Sequence, residues 1–375
     1  MASVRMSRRN NDADVVGECI EKLHEKRRAA REDGVKALVA ALEGLVPVDE
    51  LDYRYFTVFD RCCASLLLRK ARLAYRAIGL LALTVDPAPD AGCSKDILDK
   101  SLPILEKTLQ SSSSSDAAAA LECLAAVTLA GARRLEDAAP SMKAVLGVIE
   151  RTAGEDTSTD LVVLPAAVSA FSVLLTTAGD LLRTCRWGSF REVMIPFGGL
   201  AELLESGNPA VRMAAGEVLA VCAELNLTRH ASPGDQEALE TRVFELAYEA
   251  GDNEDQQVLF QKIAAVLSDE ECPKPEESMA PPPSSSSGRG VLRTSTLARM
   301  VQLNFLKRFL GKGFDKHVQG NPLFREEDSS VAVADELPTE KIRQRDCRTE
   351  KQRSSARRMD RDIGWESKNR FPHYD

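Results

Sequence analysis

The chain has 375 residues, of which 44% are hydrophobic, 28% charged and only 5% aromatic, and it carries a formal net charge of −8. This length is large for one compact core but ordinary for an elongated repeat array. Apolar content carried mainly by Leu, Ala and Val, with few period-two β-branched runs, favours closely packed helices over sheets. The nine cysteines are odd in number and form no C-x-x-C pair. No apolar run is read as approaching the roughly 18–20 residues that span a bilayer, and the first residues lack an apolar signal core. The expectation is a nuclear and cytoplasmic protein with reduced, buried thiols and no membrane partner.

Residues 1–14 read as a disordered N-terminus, and residues 15–270 read as a repeat domain. The repeat is clearest in NPAVRMAAGEVLAVCAEL, residues 208–225. Asn208 is a natural N-cap and Pro209 suits the first helical position. Val211, Ala215, Val218, Cys222 and Leu225 then recur three or four residues apart on one face, which predicts a buried stripe, with Arg212 and Glu217 at least partly exposed. Comparable second helices start near Arg28, Ala71, Ala117, Ala166, Val211 and Gln257, at intervals of 43, 46, 49, 45 and 46 residues. Each follows another helical stretch, such as residues 96–109 or 192–205, and polar connections such as residues 111–116 and 154–160 read as loops. Helix pairs at this period predict an all-α, HEAT/armadillo-like α-solenoid of about six pairs.

Signs of catalysis are absent from the pattern. The four histidines, His24, His230, His317 and His373, lie far apart and fit no metal-ligand spacing. Gly311-Lys312-Gly313 lacks the frame of a phosphate-binding loop, and Cys62-Cys63, followed by three leucines, reads as structural rather than reactive. Neither cofactor, metal nor small-molecule substrate is expected, and the chain is read as a non-enzymatic scaffold.

Residues 271–294 form a Pro/Ser-rich linker, whose composition argues against regular structure. Residues 295–325 form a helical element. Leu297, Val301, Phe305 and Phe309 share a stripe, Leu303, Leu306 and Leu310 lie beside it, and Gly311 stands where a left-handed cap wants glycine. A lone helix of this length is marginal in water, so it is expected to dock on the repeat domain or on a partner, and docking at home is favoured. Gly311 and Gly313 are both expected in conformations that a Cβ resists. Residues 326–375 form a basic, largely disordered tail. Residues 289–375 carry 19 basic and 13 acidic side chains, a net of +6, whereas residues 1–288 carry 30 and 44, a net of −14. In the tail, Arg353, Arg357, Arg358 and Arg361 are candidate RNA contacts, since arginine pairs with phosphate and stacks on bases.

The run LGKGFDKHVQGN, residues 310–321, resembles the C-terminal signature of the interferon-related developmental regulators: Leu-Gly-x-Gly, an apolar residue, then His and Asn. ECIEKLHEKRRAAREDGVKALVAAL near the N-terminus and SSARRMDR near the C-terminus resemble their helical opening and basic end. The chain departs from the family at Pro322, in the poorly matched residues 326–340 and in its sparser basic tract. The resemblance implies binding work. It makes Leu310, Gly311, Gly313, Phe314, His317 and Asn321 a partner-binding or docking element. It also implies a transcriptional co-regulator in growth, differentiation or stress responses, joining corepressor complexes of the histone deacetylase type. The alternative it implies is a ribosome-associated translational regulator whose tail binds RNA.

Overall fold

The computed structural model describes residues 14–268, apart from short connections at 52, 67–70, 86–91, 112–113, 154–159, 183–189 and 249–253, together with 276–278, 291–293, 296–321 and 324. In chain order the helices are α1 (Val15–His24), α2 (Arg28–Glu43), the single turn α3 (Val48–Leu51), α4 (Tyr55–Ser65), α5 (Ala71–Thr84), α6 (Cys93–Ser111), α7 (Ser114–Gly131), α8 (Leu135–Thr152), α9 (Asp160–Leu182), α10 (Phe197–Leu204), α11 (Pro209–Glu224), α12 (Pro233–Tyr248) and α13 (Glu254–Leu267). A C-terminal pair follows, α14 (Leu297–Leu310) and α15 (Phe314–Gly320), joined by a 3-10 turn over Gly311–Gly313.

The helices pack in two layers. α2, α5, α7, α9, α11 and α13 touch one another in that order, and each also packs on the helix before it in its pair, α1, α4, α6, α8, α10 or α12. The core therefore runs lengthwise between the layers. Small side chains set its spacing: Ala120, Ala214 and Ala215 are buried where large residues would hold neighbouring helices apart. Local sequence fixes the ends, as Asn208 accepts from the Ala210 amide at 2.9 Å ahead of Pro209, and Asp14 accepts from the Gly17 amide at 2.8 Å.

The second helices lie where the repeat spacing puts them, with shifted ends. α7 starts at Ser114, so Ser114, Ser115 and Asp116 are helical rather than loop, and Asp116 sits in the first turn, where a negative charge suits the dipole. α9 starts at Asp160 and carries Pro165 inside it. The other expected loop, 154–159, lies outside the described residues. The two ends of the linker pair as a short antiparallel ladder, β1 (Glu276–Ser278) with β2 (Val291–Arg293), which corrects the expectation of no regular structure there: three residues a side suffice for a ladder despite the prolines between them.

A second correction concerns α9. Leu161–Ala178 is an 18-residue stretch with no charged side chain and a mean hydropathy of 2.1, long and apolar enough to cross a bilayer. Its apolarity has a packing cause, for α9 is touched by α7, α8, α11 and α14, and 61% of the stretch is buried.

Val211, Ala215, Val218 and Cys222 are each at most 1% exposed. Ala215→Arg would force a guanidinium into the contact between layers, so it is expected to cost about 3 kcal/mol or more of stability. Thermal and denaturant unfolding measure this, and an unchanged midpoint would show that the face is not the core.

Candidate functional site

The most elaborated surface is where α14, the 3-10 turn and α15 lie against the layer of second helices. Thr296 caps α14, its hydroxyl accepting from the Arg299 amide at 3.1 Å. Leu297, Met300, Val301, Leu303, Phe305, Leu306, Phe309 and Leu310 are all buried, and the helix contacts α9 and α11. Burial of this face holds a helix too short to be stable alone.

Shape and polar contacts fix its register. Phe309 enters a slot left by Gly79 of α5, where a Cβ would lie 2.6 Å from the ring and 3.1 Å from the methyl of Ala126 on α7. Arg76 stands over the same ring at 5.5 Å from its centroid while donating to Glu43 of α2 at 2.7 and 2.9 Å. Further along, Gln302 donates to Thr176 at 3.0 Å, Arg308 donates to Ser169 at 2.8 Å, and the Ala298 amide donates to Glu224 at 2.7 Å.

The turn and α15 seat on the C-terminal ends of α2 and α5. Gly311 has φ +54° and closes α14 through a bond from its amide to the Lys307 carbonyl. Gly313 departs from expectation, with an ordinary φ of −82°. Its requirement is steric instead, since a Cβ there would come within 2.2 Å of the Glu43 carbonyl oxygen. Phe314 is buried and meets Phe324 edge to face at 5.8 Å. His317 is fully buried and donates from Nε2 to the Leu42 carbonyl at 2.9 Å, which fixes the tautomer because a carbonyl can only accept. Asn321 then donates from Nδ2 to the Leu83 carbonyl at 2.7 Å and to His317 Nδ1 at 3.2 Å. Imidazole and amide thus satisfy carbonyls in the last turns of two helices, groups that helix geometry leaves short of partners.

Leu310, Gly311, Gly313, Phe314, His317 and Asn321 are thereby gathered into one seat against α2 and α5. Arg353, Arg357, Arg358 and Arg361 lie outside the described residues. Arg212 is partly exposed, but Glu217 is only 6% exposed, against the expectation of an accessible side chain, because α14 packs across α11 and covers it. Burial raises the Glu217 carboxyl above its ordinary range, and Ser172 contacts it at 3.3 Å. Sequence reasoning missed Gly79, Arg76 and the carbonyls of Leu42 and Leu83. An isolated glycine inside an apolar helix hints at close packing, so Gly79 had a readable signal, whereas backbone acceptors leave none. Of the thiols, Cys62 is fully buried and Cys63 half-buried, and burial pushes the Cys63 thiol up to about 12, which keeps it an inert thiol.

Two outcomes follow from the seat. Gly313→Val is expected to unseat the turn while the repeat body stays folded, read as faster amide exchange and protease cleavage confined to residues 296–321. Unaltered protection there would show that the backbones can separate cheaply. The second concerns pH. Burial lowers the His317 pKa below the ordinary value of about 6.5, the Leu42 carbonyl and the Glu43 charge opposing this more weakly. A depressed histidine pKa means the unfolded state takes up the proton first. The stabilisation is therefore complete above about pH 6.5 and is lost as pH falls toward the folded pKa. Protection of α15 should fall over that window in the native chain and lose this pH dependence in His317→Gln; the same profile in both would dissociate the seat from His317.

Among the described residues, no group of three His, Cys, Asp or Glu side chains could hold a metal ion. The contacts described are within the chain: an apolar helix, aromatic anchors and hydrogen bonds to backbone hold the C-terminal pair on the second helices.

An engineered protein of known crystal structure aligns with 68% of this chain and 96% of its own, at 16% identity and a TM-score of 0.43, too low to carry an argument about architecture. Mouse interferon-related developmental regulator 2 is 26% identical over an alignment of 323 residues that covers 82% of this chain and 70% of that protein. The family model for the interferon-related developmental regulators matches residues 3–269, the body of stacked helices, and ends before the C-terminal seat. The chain belongs to the interferon-related developmental regulator family.

Proposed function

We propose that this protein is a non-enzymatic scaffold, a transcriptional co-regulator that acts through protein–protein contacts in growth, differentiation or stress responses, in the nucleus and cytoplasm. The observation that supports this reading is the architecture: among the described residues, helix pairs stack in two layers, which we read as a HEAT/armadillo-like solenoid suited to presenting a binding surface. Family membership supports a regulatory role. The partners on this reading are protein complexes of the corepressor, histone deacetylase type.

A second reading is favoured by one feature, the division of charge between an acidic body and a tail in which residues 341–370 hold 11 basic and 5 acidic side chains. It makes the protein a ribosome-associated translational regulator whose arginines contact RNA. Such contacts release counterions, so affinity falls steeply with salt.

One experiment separates the two. Tagged protein is recovered from cells with and without RNase, alongside the double variant Arg357→Glu/Arg358→Glu. Co-regulation predicts corepressor subunits that survive RNase and the double variant, with no ribosomal proteins. The ribosomal reading predicts co-sedimentation with monosomes that both treatments abolish. Recovery of neither set would remove both readings.

A further inference from the structure

The C-terminal pair crosses the layer of second helices from the last pair of the stack to the first. At its start, Met300 Sδ lies 3.9 Å from Lys262 Nζ of α13, and the Ala298 amide donates to Glu224 of α11 at 2.7 Å. In its middle, Asn304 and Arg308 meet Glu217 of α11, while Gln302 and Arg308 bond to Thr176 and Ser169 of α9. Phe309 then enters the Gly79 slot of α5, and Gly313 and His317 close on Glu43 and Leu42 of α2.

The length of the element suits this crossing. At about 1.5 Å per residue α14 is about 21 Å long, and neighbouring helices in a layer lie about 8–10 Å apart. α14 therefore crosses about two helix intervals by itself, and the turn and α15 carry the contacts on to α2. Beneath it, between α7, α9, α11 and α14, an open cavity of about 410 Å³ remains. The pair thus holds the layer at separate points and does not fill it.

Stacked helix pairs are joined from neighbour to neighbour, so small rotations at each interface add up along the stack. An element pinned at α11, α9, α5 and α2 removes that freedom, because a helix lengthens only by breaking its own hydrogen bonds. The pins lie on the second helices, one of the two layers. Fixing the spacing of one layer against the other fixes the curvature of the stack. The pair is also free to lift and return, since 29 residues, 268–296, join α13 to α14. A tether of that length lets α14 leave its seat and keeps it close once released.

We propose that the C-terminal pair is a releasable strut that sets the curvature of the helical stack. Seated, it holds α2 to α13 at one spacing; lifted, it lets the stack open. Both anchors belong to one continuous element, so loss of the α11 anchor loosens the α2 anchor, and the reverse. A partner protein that binds the stack at another curvature is coupled to the strut reciprocally, each weakening the hold of the other by the same factor.

The test uses the full chain with donor and acceptor dyes attached to azidophenylalanine at the exposed positions Glu21 of α1 and Glu237 of α12, read by single-molecule energy transfer. The native chain should give one narrow separation. Two variants lift the strut. Glu224→Lys, at a half-buried position, sets a positive charge against the positive N-terminus of α14. Phe309→Asp withdraws the ring from its slot and leaves every side chain of the stack native. Each should lengthen or broaden the separation by about 5 Å or more, with circular dichroism showing the stack still helical. Glu224→Lys should also speed amide exchange of residues 314–320 about tenfold or more, although Glu224 meets only the start of α14. A native separation in a variant whose residues 297–320 exchange freely would show that the stack holds its own curvature, and would overturn the proposal. Exchange quickened by Glu224→Lys in residues 297–301 alone would overturn it too, since the two ends would then be independent. Full protection of residues 297–320 in Phe309→Asp would remove the slot as an anchor, with the same consequence.

Discussion

The fold depends on one constraint: a helix pair of this composition cannot bury its own apolar face. α2, α5, α7, α9, α11 and α13 each find their burial between neighbours, so every pair is stabilised by the next. α9 shows the consequence most sharply. An uncharged stretch of 18 residues is tolerated because helices from three pairs and from the C-terminal element surround it. The same close packing explains the abundance of buried alanine and the buried thiols of Cys62, Cys123 and Cys222, which serve as small apolar side chains.

The C-terminal element uses this layer as a template. Its contacts reach from Glu224 and Thr176 on α14, through Glu43 at the turn, to Leu83 at Asn321 beyond α15, so residues remote in sequence are held in one arrangement by the C-terminal pair. Two kinds of contact divide the work. Apolar burial along α14 supplies affinity without strong directionality, whereas the Phe309 slot, the Gly313 approach and the His317–Asn321 bonds admit one register only. His317 is the residue on which this register is chemically sensitive, because its buried ring must be neutral to accept from Asn321 while donating to Leu42.

By covering α11, the same docking changes the electrostatics of the body. A glutamate that would face water on the isolated stack becomes buried, hydrogen-bonded by Ser172 and Asn304, beside an open cavity. The surface around it is therefore composite, made from the second helices and from α14 together, and mixes apolar side chains with Glu122, Glu217 and Arg308.

Much of this was legible in the sequence for identifiable reasons. The spacing of Val211, Ala215, Val218 and Cys222 reports a helix face directly, because burial of one stripe is a local, periodic property. The stripe from Leu297 to Phe309 is readable for the same reason, and Gly311 because a positive φ after a helix selects glycine. Less was legible where one segment meets another far away. Glu217 reads as exposed from its own helix, since the groups that meet it, Ser172 and Arg308, come from distant segments. Gly313 reads as a conformational glycine, although its demand comes from the Glu43 carbonyl. The uncharged stretch of α9 is hidden in the pattern because its helix begins at Asp160 and runs through Pro165, whereas the repeat spacing starts a helix only near Ala166. The sequence by itself determined the helices, their pairing period, the division of charge and the family motif, all properties of short-range pattern and composition. Only the tertiary structure decided what the C-terminal helix rests on, which carboxylates it buries and where a cavity stays open, because those depend on shape complementarity between residues more than 70 positions apart in the chain.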